Sequence, residues 1–304
     1  MWTGAAVTLL LLVLPALAGA QATVPTRNVP ISLAVMPGKP DVAMVGTLNA
    51  PDPDNLYRSD DGALTWGVAS SGTEANISVA GLAFDPQNPR VVYAGDGGFG
   101  YLYRSTDVGA TWQEVSAFRP LLNENSAIGD LLVTVELRKS VLYVSTRYDG
   151  VFRSDDEGES WLQLDAGLAG EARRVRVVTP FDDELYAGTH NGLYRLPPGT
   201  TVWEQVATFP APSIVYALVE DEVNDLFYAG TESGLYSSVD GDTWARVPSS
   251  PNAVVYGIVV TGSRIVIGTD VGLYVGVEEQ WTRATVNGAD YSGVVYAVAN
   301  TPKA

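Results

Sequence analysis

The sequence predicts an all-β chain: a β-propeller of six complete four-stranded blades, followed by one orphan C-terminal strand. Three observations carry this. Leaving aside Trp2, the tryptophans fall at Trp66, Trp112, Trp161, Trp203, Trp244 and Trp281, separated by 46, 49, 42, 41 and 37 residues. Each closes a unit that repeats the same short apolar segments in the same order. No long stretch shows a helical period. Four strands in roughly 40–50 residues is the arithmetic of a propeller blade. β-Helix repeats, the rival arrangement, are shorter.

The chain opens with "MWTGAAVTLLLLVLPALAGAQA". Ala5 to Leu17 form an apolar core and Ala18 to Ala20 end it with small residues, as in a secretory signal cleaved after Ala20. Its first residues lack Lys and Arg, which leaves an uncleaved anchor or an upstream start as alternatives. The expected organisation is a signal at residues 1–20 and a propeller from 21 to 304, exported to the periplasm, the cell envelope or the medium. No later apolar run reaches the ~18 residues of a membrane helix.

The repeats are read at residues 28–72, 77–118, 128–168, 172–210, 212–250 and 252–291. Each begins with an apolar strand, as in "ISLAVMP", "VAGLAFDP", "VRVVTP" and "VYGIVVT". A "VYAGT"-like strand follows, then a "GLYRS"-like strand, then a short strand after the tryptophan, as in "WQEV". Gly, Asp, Asn and Pro turns separate them. The strands are apolar on both faces, as expected if each blade packs between two neighbours. "VVYAV" at Val294–Val298 repeats the first strand of a blade, and residues 292–304 are read as that orphan strand or as the start of a seventh blade.

Composition removes several functions. The net charge of −17 is the wrong sign for meeting phosphates, so nucleic acid is excluded as a partner. With no cysteine and His190 as the single histidine, thiol catalysis and multi-histidine metal centres are excluded. No cofactor or metal is expected.

The stretch between the third and fourth strands is written several times. Ser105, Asp107, Gly109, Thr111 and Trp112 follow S-x-D-x-G-x-T-W, and Ser154, Asp156, Gly158, Ser160 and Trp161 do so with Ser for Thr. Ser59, Asp61, Thr65 and Trp66 match with the glycine one place early at Gly62. Ser238, Asp240, Gly241, Thr243 and Trp244 match with one residue deleted. This resembles the Asp box of BNR-repeat propellers, and the resemblance covers nearly the whole mature chain. Such propellers occur in sialidases, some plant-polysaccharide hydrolases, sortilin-like receptors and photosystem II assembly factors. Physically the motif reads as a hairpin lock. Ser and Asp oxygens accept backbone N–H bonds, Gly supplies a left-handed backbone angle, and Trp packs between blades. Calcium binding is disfavoured because the boxes lack a dense set of oxygen ligands. Arg58, Arg104, Arg153 and Arg195 share one place in the third strand and are expected to pair with neighbouring carboxylates.

Function is expected on the opposite rim, on the loops between second and third strands and on the links between blades. Candidate ligand-binding residues there are Arg147, Tyr148, Asp149, His190, Glu232 and Asp270, with Asp54, Asp96, Arg119, Glu124, Glu171, Arg173 and Arg174 as further charged residues. The first reading is a non-enzymatic scaffold that binds a protein or a glycan on this rim, with no catalytic residue. A glycoside hydrolase is the alternative implied by the resemblance. Asp149, Glu232 and Asp270 would then be its carboxylates, and hydrolysis needs two of them facing across the substrate. Arg119, Arg147 and Arg173 or Arg174 would be the cations of a sialidase-like clamp, but the N-terminal Arg-Ile-Pro signature of sialidases is absent. A third reading is an assembly factor for a membrane protein complex.

Overall fold

The computed structural model describes residues 28–48, 53–136, 138–210, 213–221, 223–277, 280–286 and 289–299. The expected signal at 1–20, part of the loop 49–52 and the last residues of the orphan segment lie outside them. The chain is all-β, with six four-stranded antiparallel sheets arranged as propeller blades, each ordered first to fourth strand in sequence. The first, inner strands are Pro30–Val35, Val79–Phe84, Ile128–Glu136, Val175–Phe181, Val215–Asp221 and Val255–Thr261. Consecutive inner strands pack side by side around the axis. Among the described residues, no comparable packing joins blades six and one.

The second strands show why the sequence reads as unbroken apolar runs. Ala43–Thr47 and Val92–Asp96 are buried at every residue. Their side chains alternate between the two faces of a sheet, and both faces are covered. The core is accordingly divided into clusters that each span two adjacent blades. One joins Met44 and Leu56 of blade one to Val79, Val92 and Trp112 of blade two. Another joins Val141 and Tyr143 of blade three to Val178, Ala187 and Trp203 of blade four. The tight approach explains the glycine of the "AGT" motif. A Cβ at Gly188 would stand 2.8 Å from Val215 Cγ1 of the next blade.

The orphan segment takes the same place beyond blade six. Val295 is buried, its N–H donates to Thr269 O at 2.9 Å, and it fills the space left by Gly268. A short hairpin that the sequence did not suggest, Thr285–Val286 with Ala289–Asp290, precedes it.

Asp61, Asp107 and Asp156 each make the same set of bonds. Asp107 Oδ1 accepts from Ser105 Oγ at 2.7 Å and from Thr111 N at 2.8 Å, and Oδ2 accepts from Thr111 Oγ1 at 2.7 Å. Ser105 Oγ accepts from Gly109 N at 2.8 Å. In the first box Ala63, not Gly62, occupies the place of Gly109, with φ 69° and its N–H on Ser59 Oγ at 2.8 Å. The shortened fourth box keeps the Ser238–Asp240 bond at 3.0 Å, and Asp240 accepts from Asp242 N and Thr243 N.

The tryptophans are less uniform than their spacing implies. Trp112, Trp203 and Trp244 are buried, but Trp66, Trp161 and Trp281 are half-buried. Trp112 Nε1 donates to Ala69 O and Trp203 Nε1 to Leu164 O, both in the preceding blade. Trp161 and Trp244 donate to the glycine carbonyl of their own box. The recurrent arginines reach across the same seam. Arg58 donates to Val108 O, Arg104 pairs with Glu157, and Arg195 pairs with Asp242, all in the next blade's box. Arg153 pairs with Glu136 of its own blade at 2.8 Å.

Candidate functional site

The Ser-x-Asp turns between third and fourth strands share a rim with the turns between first and second strands, shown by Gly62 N on Asp41 O. The other rim joins the second-to-third strand loops to the interblade links, through Arg147 N on Ala127 O and His190 N on Arg174 O. On that rim the sequence candidates divide into two groups.

The carboxylates serve the backbone. Glu232 Oε1 accepts from Ile214 N at 3.2 Å and Asp270 Oδ1 from Val254 N at 3.0 Å. Asp96 does the same for Ser78 N at 2.9 Å. In blades two, five and six a loop carboxylate thus caps the residue that leads into the inner strand. Asp149 is 3% exposed and holds Asn123 of the interblade link through both its N–H and its side-chain amide. Asp54 offers its carbonyl to Asn28 and Tyr57. None of Asp149, Glu232 and Asp270 lines the central channel.

The cations and aromatics converge. The central channel encloses about 740 Å³ and is lined by Arg147, Tyr148, Arg174, Arg176 and His190, among others. Arg174 lies over the Tyr148 ring at 5.5 Å and pairs with Glu171 at 2.9 Å. Arg176 Nε donates to His190 Nε2 at 2.9 Å, which requires the neutral imidazole. Burial, then the charges of Arg176 and Arg174, push the His190 pKa down to about 4. Arg119 and Glu124 stay outside the channel in the link, and Arg173 turns to Asp165 at 2.7 Å. Of the cations anticipated from the sequence, Arg147 and Arg174 line the channel, and Arg176 joins them there.

Arg176 and its neighbours belong to a set that sequence reasoning missed. Every inner strand carries a β-bulge one residue from its start, where the register skips a residue. The skipped residues are Ile31, Ala80, Gly129, Arg176, Tyr216 and Tyr256, and Tyr296 takes the matching place in the orphan segment. All seven line the channel. A bulge leaves its extra residue outside the ladder and re-aims the side chain. Blades four to six and the orphan segment therefore build a continuous arc. Arg176 stands over the Tyr216 ring at 5.4 Å, and the Tyr216–Tyr256 and Tyr256–Tyr296 centroids are 5.0 and 5.1 Å apart. The signal was present in the recurrent Val-Tyr of "VYALV", "VYGIV" and "VYAVA" and in the one Arg of "VRVV". Burial raises the Tyr216 and Tyr256 pKa values and lowers that of Arg176. Asp130, one residue past the bulge of blade three, also lines the channel. Burial raises its pKa to about 7.

No family model matches the chain. Among curated proteins it is 38% identical over 92 residues to an oligoxyloglucan-reducing end-specific xyloglucanase of Emericella nidulans, a stretch covering 29% of this chain and 11% of that one. It is 27% identical over 151 residues to the photosystem II assembly lipoprotein Ycf48 of Synechococcus, covering 49% of this chain and 42% of that one. Both matched stretches are less than half of the relative. Among solved structures, the GH74 xyloglucanase of Xanthomonas campestris superposes with a TM-score of 0.65 at 18% identity, over 86% of this chain and 47% of that one. YCF48 bound to D1 peptide superposes with a TM-score of 0.62 at 15% identity, over 85% and 82%. At these identities the structures establish the fold: this chain is a β-propeller.

Proposed function

We propose that this chain is an exported, non-catalytic propeller of BNR/Asp-box type that binds a protein segment at the channel mouth opposite its boxes. The observation that carries the proposal is the division of labour on that rim. The loop carboxylates Asp149, Glu232 and Asp270 are engaged in capping and link-holding, one per blade, while Arg147, Arg174, Arg176 and the tyrosine arc converge in one channel. An acid pair astride a substrate is what glycoside hydrolysis needs, and the channel presents a single carboxylate, Asp130, among cations and aromatics of the described residues. A solved Ycf48 propeller of the same fold holds a D1 peptide.

A glycoside hydrolase remains the second reading, favoured by the 92-residue match to the fungal enzyme. One experiment separates them. The chain from Gln21 is screened against a peptide array and a glycan array, with mass-spectrometric detection of cleaved glycan. Peptide binding without cleavage supports the proposal. Glycan cleavage that disappears in D149N, E232Q or D270N variants would replace it with the hydrolase.

A further inference from the structure

We infer that the segment captured in this channel is acidic, with a carboxylate seated between Arg147 and Arg176 and an apolar neighbour laid against the tyrosine arc. The inference rests on the protein-binding reading above and names its ligand chemistry.

The charge pattern is the first argument. The chain holds 35 acidic residues against 18 Lys and Arg, so an arginine on its surface meets a carboxylate easily. The arginines of the third strands do so: Arg58, Arg104, Arg153 and Arg195 all form ion pairs. Arg174 in the channel pairs with Glu171, but two of its neighbours behave differently. Arg147 has the Gly97 carbonyl as its acceptor at 2.9 Å and Arg176 has His190, and neither forms an ion pair among the described residues. Arg147 and Arg174 also lie near enough to Arg176 for their charges to oppose its own. Gathering like charges on one exposed stretch of the channel wall costs energy that is relieved when an anion arrives. Arginine's planar fork matches a carboxylate with two parallel hydrogen bonds, and among the described residues Arg176 uses only its Nε.

The surroundings favour a peptide over a small anion or a sugar acid. Beside the guanidinium of Arg176 the arc offers three tyrosine faces and edges, suited to apolar and aromatic side chains. Around the mouth, the loops and links of the same rim expose Leu48, Phe99, Leu121, Tyr148 and Val271, with Phe99 56% exposed. An apolar ring around a charged centre is how a protein partner is held.

The test uses the chain from Gln21 to select from a bead-displayed random octapeptide library. Selected peptides are then measured by fluorescence anisotropy against wild type, R147Q, R176Q and R176K, with thermal melts to establish folding. The expected outcome is enrichment of Asp or Glu beside an apolar residue. Affinity falls about 10- to 100-fold in R176Q and R147Q, the loss of one charge-assisted pair, and R176K recovers it in part by keeping charge without the fork. Selected peptides without acidic enrichment, or indifferent to both variants, would overturn the ligand class while leaving peptide binding intact. If no peptide is selected and oligogalacturonate binds with the same arginine dependence, the anion chemistry survives and the protein partner does not. If neither binds, the protein-binding reading itself fails.

Discussion

Trp112 and Trp161 occupy the same place in the same motif, yet replacing each by phenylalanine is expected to have unequal effects. Trp112 is 3% exposed and sits in the cluster shared by blades one and two. Its indole N–H donates at 2.7 Å to Ala69 O, at the outer end of blade one. W112F removes that bond and leaves a buried carbonyl unsatisfied, which costs about 1–3 kcal/mol. The smaller ring leaves a void, adding about 1 kcal/mol. The sum is about 2–4 kcal/mol. Trp161 is half-buried and donates to Gly158 O in its own loop at 3.1 Å. Water replaces that bond in W161F, so the cost is about 1 kcal/mol or less. Urea denaturation followed by circular dichroism reads both as shifts of the midpoint at constant slope. A W161F cost equal to or above that of W112F would refute the view that these indoles act as ties between blades.

Ala63 stands at φ 69° where the other long boxes have glycine, so A63G is expected to stabilise by up to about 1 kcal/mol in the same assay. G109A goes the other way, because φ is 77° and the new Cβ would meet Met44 Cε at 2.4 Å. Asp61, Asp107 and Asp156 are held at a pKa of about 2, chiefly by hydrogen bonds from Thr65, Thr111 and Ser160. Their folded pKa lies below the unfolded one, so their contribution is complete above about pH 4 and is lost as pH falls toward 2. A D61N/D107N/D156N variant should show a shallower acid-induced loss of melting temperature. Asp130 has the opposite sign. With its pKa raised by burial to about 7, the folded state holds a proton that the unfolded state releases, so stability declines as pH rises from about 4 to 7. D130N should remove that decline, with an upper bound of about 4 kcal/mol at pH 8. Its effect is read from melts at pH 5 and 8, and an unchanged pH dependence would count against a desolvated Asp130.

The blades were legible in the sequence because their information is local. A box closes through bonds from residue i to i+2 and i+4, so Ser105, Asp107 and Thr111 announce their partners by spacing alone. The apolar strands and the tryptophan period follow from each blade having to bury both faces. The displaced glycine of the first box was visible as Gly62, but its consequence, a left-handed Ala63, appeared only in the backbone.

The rim divided differently. Asp149, Glu232 and Asp270 were readable as loop residues, yet a carboxylate beside a backbone N–H is indistinguishable in sequence from one aimed at a substrate. The channel site was the least legible part. Arg147, Arg176, Tyr216, Tyr256 and Tyr296 come from blades three to six and the segment beyond. The bulge that turns Arg176, Tyr216 and Tyr256 inward is a register skip no composition reports. The sequence by itself determined the blade, the hairpin lock and the sign of the surface charge, because turn chemistry and periodicity act over a few residues. The tertiary structure decided which arginines meet no carboxylate among the described residues and which tyrosines form an arc. Those facts depend on distances between blades that close only when the sheets pack around one axis.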